Sequence, residues 1–466
     1  MKGSKTKALN ERGISLIFTA LSMVFIVPMV GLAIDAGILY TVKGKLQMAV
    51  DAASLAAARA LSRGNDDQTQ QNNATAEAEE YVLLNFPSGY FNVSTPTFGT
   101  NNSGITIDES VANQRSVSVT ASVTAPLYFL RWLGNTNTTV SATATAVRRD
   151  VNVMVVIDRS ASLQTSGSCD PLKAAATSFV DKFANGRDNV GLVTFASSSK
   201  VDFPIANNFQ TANPSIPTIL GELVCSGGTS SAMGLYLAYQ QLVTLNQPNA
   251  LNIVLFFTDG QPTALTAVIP IKNSSPCTNS HGTSVTAVLS ENGSSPWGLM
   301  DPNAGSQPLS SDYPILNHPN NISQNCTYAS NWYNNAVNVG TDITNVPLTD
   351  AYGNNMHSGY QTVTTSGGYM VLNWTNIQNA SMNAADSQGL TIRQSTTIPG
   401  IRAYSIGLGN APGGVSDDFL ERVSNDPRAS NYDSNYPAGE YVYAPTSADI
   451  SNAFAEVASQ ILHLSR

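Results

Sequence analysis

Charge is scarce in this chain of 466 residues: Asp, Glu, Lys and Arg together make up 12% of it. Its surface must therefore be kept polar by Asn, Ser, Thr and Gln. The net charge is −9, which argues against a nucleic-acid-binding face, because such a face gathers Lys and Arg against phosphates. A weakly charged, acidic surface suits an extracytoplasmic protein or one that binds cations. Histidine is rarer still. His281, His318, His357 and His463 are the only four, and none sits in H-E-x-x-H or beside a G-x-S-x-G serine. A phosphate-binding loop is also missing, so the chain is not expected to be an enzyme. The four cysteines, Cys169, Cys225, Cys277 and Cys326, form no C-x-x-C pair, which gives no support to a zinc or redox site. An even number in an exported chain suggests two disulfides, in any of three connectivities, against four buried thiols.

Long apolar runs are confined to one place. Residues 14–34, "ISLIFTALSMVFIVPMVGLAI", carry no charge and are long enough to cross a bilayer as a helix. Lys2, Lys5, Lys7 and Arg12 precede them, which puts this end in the cytoplasm. The run is long for a cleaved signal and no A-x-A site closes it, so a retained anchor is expected. Residues 43–62, "KGKLQMAVDAASLAAARALS", are Ala-rich and continue the helix. Leu46, Val50, Ala53, Ala57 and Leu61 share a stripe, and Pro28 is expected to kink the rod.

The segment "RGISLIFTALSMVFIVPMVGLAIDAGILYTVKGKLQMAVDAASLAAARAL" resembles the N-terminus of TadE/TadG-like proteins of Flp (tight-adherence) pilus assembly, with "GLAIDAG", "LY" and "LQ-x-A-x-DAA" in that family's order. Arg12-Gly13 resembles a prepilin-peptidase site, but Phe18 stands where pilins carry Glu. After a polar break at 64–73, residues 74–86 read as a short helix. The runs "FNVSTPTF", "GITIDES", "RSVSVTASVTAPLYFL" and "TTVSATATAVRR" read as strands. Val117, Val119, Ala121 and Val123 alternate inward. The expected units are a cytoplasmic tail at 1–13, a pilin-like membrane helix at 14–40 and a small α+β module at 41–150, without chemistry of its own.

From Val151 the pattern changes. "VNVMVVID" reads as a fully buried, Val- and Ile-rich strand of the parallel-sheet kind, and "NVGLVTFA", "LNIVLFFTDG" and "RAYSIGLG" are further strands. Helical patterns alternate with them: one opening at Asp170 as N-cap with Pro171 behind it, one at 229–245 opening on hydroxyl caps, and one at 446–462. Strand–helix alternation predicts a doubly wound α/β sheet, with ligands at the carboxyl ends of its strands. Three oxygen-bearing clusters fall at such ends: Asp158-x-Ser160-x-Ser162, Thr229 in "SGGTS" and Asp259 in "FFTDG". Oxygen donors of this kind suit a hard divalent cation.

This set is similar to the von Willebrand factor A (vWA) domain with its metal-ion-dependent adhesion site (MIDAS), over about 151–262 and 396–466. The resemblance implies Mg²⁺ (or Mn²⁺ or Ca²⁺) held directly by Ser160, Ser162 and Thr229. Asp158 and Asp259 would act through water, and a partner protein would offer a carboxylate to the open position. Cys169 and Cys225 then flank the two ligand loops, so Cys169–Cys225 with Cys277–Cys326 is the preferred pairing. A long Asn-, Ser- and Gly-rich insertion, about 263–395, reads as a folded unit or a lid beside this edge. The fold class is thus α/β: a pilin-like helix and α+β module, then a Rossmann-like vWA domain at 151–466. The function implied is that of an anchored Flp pilus-assembly component of the bacterial inner membrane, with its C-terminal domain in the periplasm or at the cell surface, binding partners through its metal. The alternative is a vWA scaffold of an envelope complex with a silent metal site.

Overall fold

The structure, a computed structural model, describes residues 11–64, 66–270, 284–291, 296–300, 302, 345–409 and 415–465. Two compact units divide the chain at Arg148 and Arg149.

The first unit is built on helix α1, Glu11–Ala60, which passes Pro28 as a single element. Its two halves differ. From Leu16 to Ile34 the large apolar side chains are 43–71% exposed, a surface that only lipid or another apolar body can cover. Beyond Asp35 the helix turns amphipathic, and Val42, Leu46, Val50, Ala53, Ala57 and Leu61 are wholly buried. Against that stripe lies α2, Asp67–Asn85, whose N-cap Asp66 accepts a hydrogen bond from the Thr69 amide. The polar stretch expected as a break therefore contains the first turns of this helix. A three-stranded sheet completes the core: β1 Ile105–Asp108, β2 Gln114–Pro126 and β3 Asn137–Arg149. Burial alternates along β2, and Val117, Val119, Ala121 and Val123 face inward. Residues 91–98 are not a strand; they make one bridge, Thr97 to Ser122.

The second unit is a mixed α/β domain. Its strands are β4 Val151–Asp158, β5 Asn189–Phe195, β6 Ser199–Ala206, β7 Leu251–Thr258, β13 Arg402–Leu408 and β14 Glu440–Ala444, in the order β14-β13-β7-β4-β5-β6. Every pairing described is parallel except the edge strand β6, which runs antiparallel to β5. All eight residues of β4 are buried because both faces of the sheet are covered. Val151, Val153, Val155 and Ile157 pack on the side of α4 Cys169–Val180 and α9 Ile450–Leu464. Met154 and Val156 pack on the side of α6 Ser231–Leu245, α7 Trp374–Arg393 and α8 Asp417–Ser424. Each large apolar side chain so buried contributes about 1.5–3 kcal/mol. Short helices α3 Ala161–Thr165 and α5 Ile216–Glu222 complete the set.

Two helix starts differ from the expectation. Asp170 is not a cap: α4 begins at Cys169, so Asp170 lies inside the first turn and pairs with Lys173 at 3.0 Å. The hydroxyl of Ser230, the N-cap of α6, makes no capping bond either. The insertion folds in part. Strands β8 Ala264–Pro270, β9 Ser284–Glu291 and β10 Pro296–Met300 form an antiparallel sheet in the order β10-β9-β8. Leu265, Ala267 and Leu289 join the α6–α7 core. A tiny hairpin, β11 Thr365–Ser366 and β12 Tyr369–Met370, leads into α7. The centre of the insertion lies outside the described residues.

Candidate metal centre

Strands β4 and β7 lie side by side, with Ile157 opposite Phe257. Asp158 is the last residue of β4 and Asp259 follows the last residue of β7; both are 0% exposed. The chain leaves β4 through Arg159, whose amide bonds the Phe195 carbonyl of β5 at 2.8 Å. Asp158 Oδ1 then accepts the Ser160 amide at 2.7 Å, which fixes the turn. Ser160 and Ser162 follow two residues apart, and their hydroxyls meet at 2.9 Å. Both reach across to Asp259 Oδ1, at 3.3 Å from Ser160 and 2.8 Å from Ser162. Four of the five candidate ligands thus form one bonded group.

Thr229 comes from the neighbouring loop, and its hydroxyl bonds none of the other four among the described residues. The loop itself is held to the β4 turn by backbone bonds from Ala161 to the Gly227 carbonyl (3.0 Å) and from Ser226 to the Arg159 carbonyl (2.7 Å). Gly227 has φ of +94°, a conformation that favours glycine. At Gly228 a Cβ would meet Ser290 Oγ of β9 at 2.9 Å and Ser197 Oγ at 3.2 Å, so only glycine fits without displacement. The folded part of the insertion therefore backs this loop directly, and Ser290 also bonds the Thr263 carbonyl at 3.0 Å.

Cys169 and Cys225 are joined in a disulfide, at the start of α4 and ahead of the Gly227–Thr229 loop. The bond links the elements that follow and precede the two ligand loops. Cys277 and Cys326 lie outside the described residues.

The electrostatics of the site are those of an incomplete neutralisation. Burial pushes the Asp158 carboxyl up to about 7, and the neighbouring Asp259 charge adds to the rise. Burial raises Asp259 as well, against the bonds from Ser162 and Ser160. Thr258 donates to Asp158 Oδ2 at 2.6 Å, a partner that the sequence motif did not single out although it stands beside Asp259. Asp259 Oδ2 is buried with no hydrogen-bond partner, as are the hydroxyls of Ser230 and Ser231. A buried carboxylate oxygen without a donor is costly. A divalent cation would supply the missing positive charge, and carboxylates with hydroxyls are the donor set that a hard cation takes. The residues present fit such an ion. Among the described residues no group of three or more His, Cys, Asp or Glu is placed to hold a metal ion, and this site, with two acids, is not such a group either.

Other supports of the candidate site escaped the sequence. Thr263 Oγ1 accepts the Thr229 amide at 3.0 Å and Ser197 Oγ accepts the Gly228 amide at 2.7 Å. Neither carries a motif; only their nearness to the strand ends could have marked them.

Known proteins share both the site-bearing domain and the segments before it. Residues 153–261 match the von Willebrand factor type A domain model. Residues 13–60 match the Flp pilus-assembly TadE/G-like family, and residues 51–146 the Tad-like Flp pilus-assembly family. No curated protein gives a significant match. Among solved structures, the vWF domain of the type V pili tip protein Mfa5 from Porphyromonas gingivalis is 15% identical, with a TM-score of 0.37, over 69% of this chain and 98% of that one. The PilB minor pilin from Streptococcus sanguinis is 15% identical, with a TM-score of 0.36, over 78% of both chains. The conserved hypothetical protein BatB from Bacteroides thetaiotaomicron is 12% identical, with a TM-score of 0.31, over 67% of this chain and 99% of that one. The family matches are thus confined to segments: residues 153–261 are similar to a vWA domain, and residues 13–146 before them to Tad-type Flp pilus-assembly families.

Proposed function

We propose that this chain is an anchored component of Flp (tight-adherence) pilus assembly that binds a protein partner through a divalent cation. In this reading the N-terminal tail is cytoplasmic and residues 14–40 span the bacterial inner membrane. The vWA unit then stands in the periplasm or at the cell surface. Ser160, Ser162 and Thr229 would hold Mg²⁺ (or Mn²⁺ or Ca²⁺) directly, with Asp158 and Asp259 behind them. The bound ion would present a positive site to a carboxylate of the partner. The residues around it do the positioning: the disulfide and the Gly227–Gly228 approach hold the two loops together, and Thr258 orients Asp158. The observation that supports this most is the convergence of two buried carboxylates with one oxygen, Asp259 Oδ2, left unpartnered.

The test is co-purification of the full-length protein from its own membranes in Mg²⁺ and in EDTA, with Thr229→Ala alongside. Pilus-assembly proteins are expected with wild type in Mg²⁺ and not in EDTA or with the variant. The second reading, a scaffold whose metal site is silent, draws on the hydroxyls of Ser160 and Ser162, which already bond each other and Asp259. Equal recovery in all three conditions would favour it.

A further inference from the structure

The loop Tyr128–Gly134, "YFLRWLG", joins β2 to β3 and turns back along α1 through a 3-10 turn at Leu130–Leu133. Its anchor is Asp35, the first charged residue after the apolar run and 1% exposed. The Asp35 carboxylate accepts three backbone amides, from Tyr128 at 2.9 Å, Phe129 at 3.0 Å and Leu130 at 2.8 Å. Phe129 sits so close to the helix that a Cβ on Gly31 would meet it at 2.8 Å. Beyond the anchor, Phe129, Leu130 and Trp132 border an apolar cleft of about 340 Å³ with Val27, Pro28 and Leu32 of α1. Yet Trp132 is 82% exposed and Phe129 43%.

Heights along α1 relate this loop to the span. The uncharged run 13–34, at about 1.5 Å per residue, is about 33 Å long, close to the roughly 30 Å hydrocarbon core of a bilayer. Asp35 therefore falls where hydrocarbon gives way to headgroups. Val27 lies about 12 Å on the membrane side of it. A loop that borders Val27 and Leu32 while hanging from Asp35 extends below that boundary. Backbone amides entering an apolar layer must be satisfied within the protein, and the carboxylate does this for three of them. Exposed Trp is costly in water and favourable at the interface, where its ring meets the acyl boundary and its N–H stays near water. On the outer side, Tyr40 is 82% exposed and Lys43 is exposed too, a ring-and-cation pair at headgroup height. Arg131, also exposed, can keep its guanidinium among the phosphates while its stem stays apolar.

We propose that the Tyr128–Gly134 loop is a second membrane contact: a wedge that inserts Trp132 and Phe129 into the outer headgroup–acyl boundary beside α1, with Asp35 as its hinge pin. The occupant of the apolar face is lipid, a choice favoured by the continuity of that face with the exposed apolar surface of the spanning helix. The wedge fixes the depth and rotation of α1, so the first unit stands on the membrane at two points. This proposal rests on the reading of residues 14–40 as a membrane span.

The test uses the full-length chain in phosphatidylcholine–phosphatidylglycerol vesicles whose lipids carry bromine either near the headgroup or near the chain end. Trp132→Phe is compared with wild type by tryptophan emission; Trp132 is exposed, so the variant keeps its fold. The wild-type chain is expected to show a blue-shifted component quenched more by shallow than by deep bromines, and Trp132→Phe to lose it. Asp35→Asn, which weakens the anchor, is expected to make that component accessible to aqueous iodide. Bromolipid quenching identical in wild type and Trp132→Phe, with the Trp132 signal quenched by iodide, would overturn the proposal. So would a blue-shifted Trp132 signal that no bromolipid quenches, which would put protein, such as a second copy, on this face. A chain that fails to float with the vesicles would overturn the membrane span itself, and that outcome is distinct from the others.

Discussion

Two buried acidic sites in this molecule solve the same problem in opposite ways. Asp35 in the first unit is 1% exposed and is met by three backbone amides. Asp158 and Asp259 in the second unit are wholly buried and face each other. Donors reach both of the second pair, but one oxygen of Asp259 stays unmatched. The first arrangement is finished by the protein alone, as expected of a structural tether. The second is left with one carboxylate oxygen that no described donor meets. The clamp also differs. Asp35 holds its loop by hydrogen bonds, whereas the loops bearing Ser160 and Thr229 are linked through a covalent bond between Cys169 and Cys225. A site that concentrates uncompensated charge needs its backbone held by something other than that charge.

The contrast is open to experiment, and the disulfide should give the biggest change. Replacing Cys169 and Cys225 with Ala releases a loop closed over a sequence separation of 56; chain entropy puts the loss at about 4 kcal/mol. Denaturation of the full-length protein in detergent should show it, together with weaker Mg²⁺ binding. An unchanged Mg²⁺ affinity would separate the disulfide from the metal centre. Asp35→Ala strips the acceptor from three amides and should cost about 3 kcal/mol. Hydrogen exchange at residues 128–130 should accelerate, and Mg²⁺ binding should not move. Protection retained in the variant would mean the tether is not what orders the loop.

The third effect is one of pH. The Asp158 carboxyl is raised from 3.8 to about 7, and Asp259 shifts the same way. The folded state thus holds protons that the unfolded chain has released above pH 4. Their contribution is fully present below about pH 4 and is lost as pH climbs through 7. In EDTA the melting temperature of the second unit should fall between pH 5 and 7.5, and Mg²⁺ should offset the fall by compensating the ionised pair. A flat profile in EDTA would contradict the charge deficit. The smallest effect is opposite in sign to that of Asp35→Ala. Asp259→Asn relieves like-charge repulsion and should stabilise the metal-free protein at pH 7.5 by on the order of 1 kcal/mol. A clear destabilisation in EDTA would mean that the Asp259 charge is already compensated.

Much of this was legible in the residues, and the exceptions share a cause. The stripe from Leu46 to Leu61, the alternation in β2 and the Val- and Ile-rich run of β4 are hydrophobic patterns, and patterns of that kind survive without knowledge of the fold. The start of α2 was not legible because its first buried position is Gln70, a polar side chain whose burial is made possible by Arg115, 45 residues away, at 2.9 Å. Strand β6 hid for a similar reason: it is a partly exposed edge strand containing Pro204, which weakens the strand pattern. At the candidate site, the order Asp158, Ser160, Ser162, Thr229, Asp259 was readable as a motif with the spacing of three loops. The supports were not. Thr258, Thr263 and Ser197 act through contacts that only the strand neighbours create. Asp35 stood in the "GLAIDAG" run of the family resemblance, but its role as a tether was not readable, because its donors lie 93 to 95 positions along the chain.

The difference between the two acidic sites is tested most directly by thermal melting of the full-length protein at pH 7.5 in EDTA, Mg²⁺, Mn²⁺ and Ca²⁺, with Asp259→Ala beside wild type. At a free metal concentration near 100 times Kd, binding to the folded state stabilises by about 2.7 kcal/mol, which moves the transition by several degrees. Wild type should show that shift with at least one cation, and Asp259→Ala should show none. An equal shift in both proteins, or no shift in wild type, would mean that the buried pair is not a metal centre.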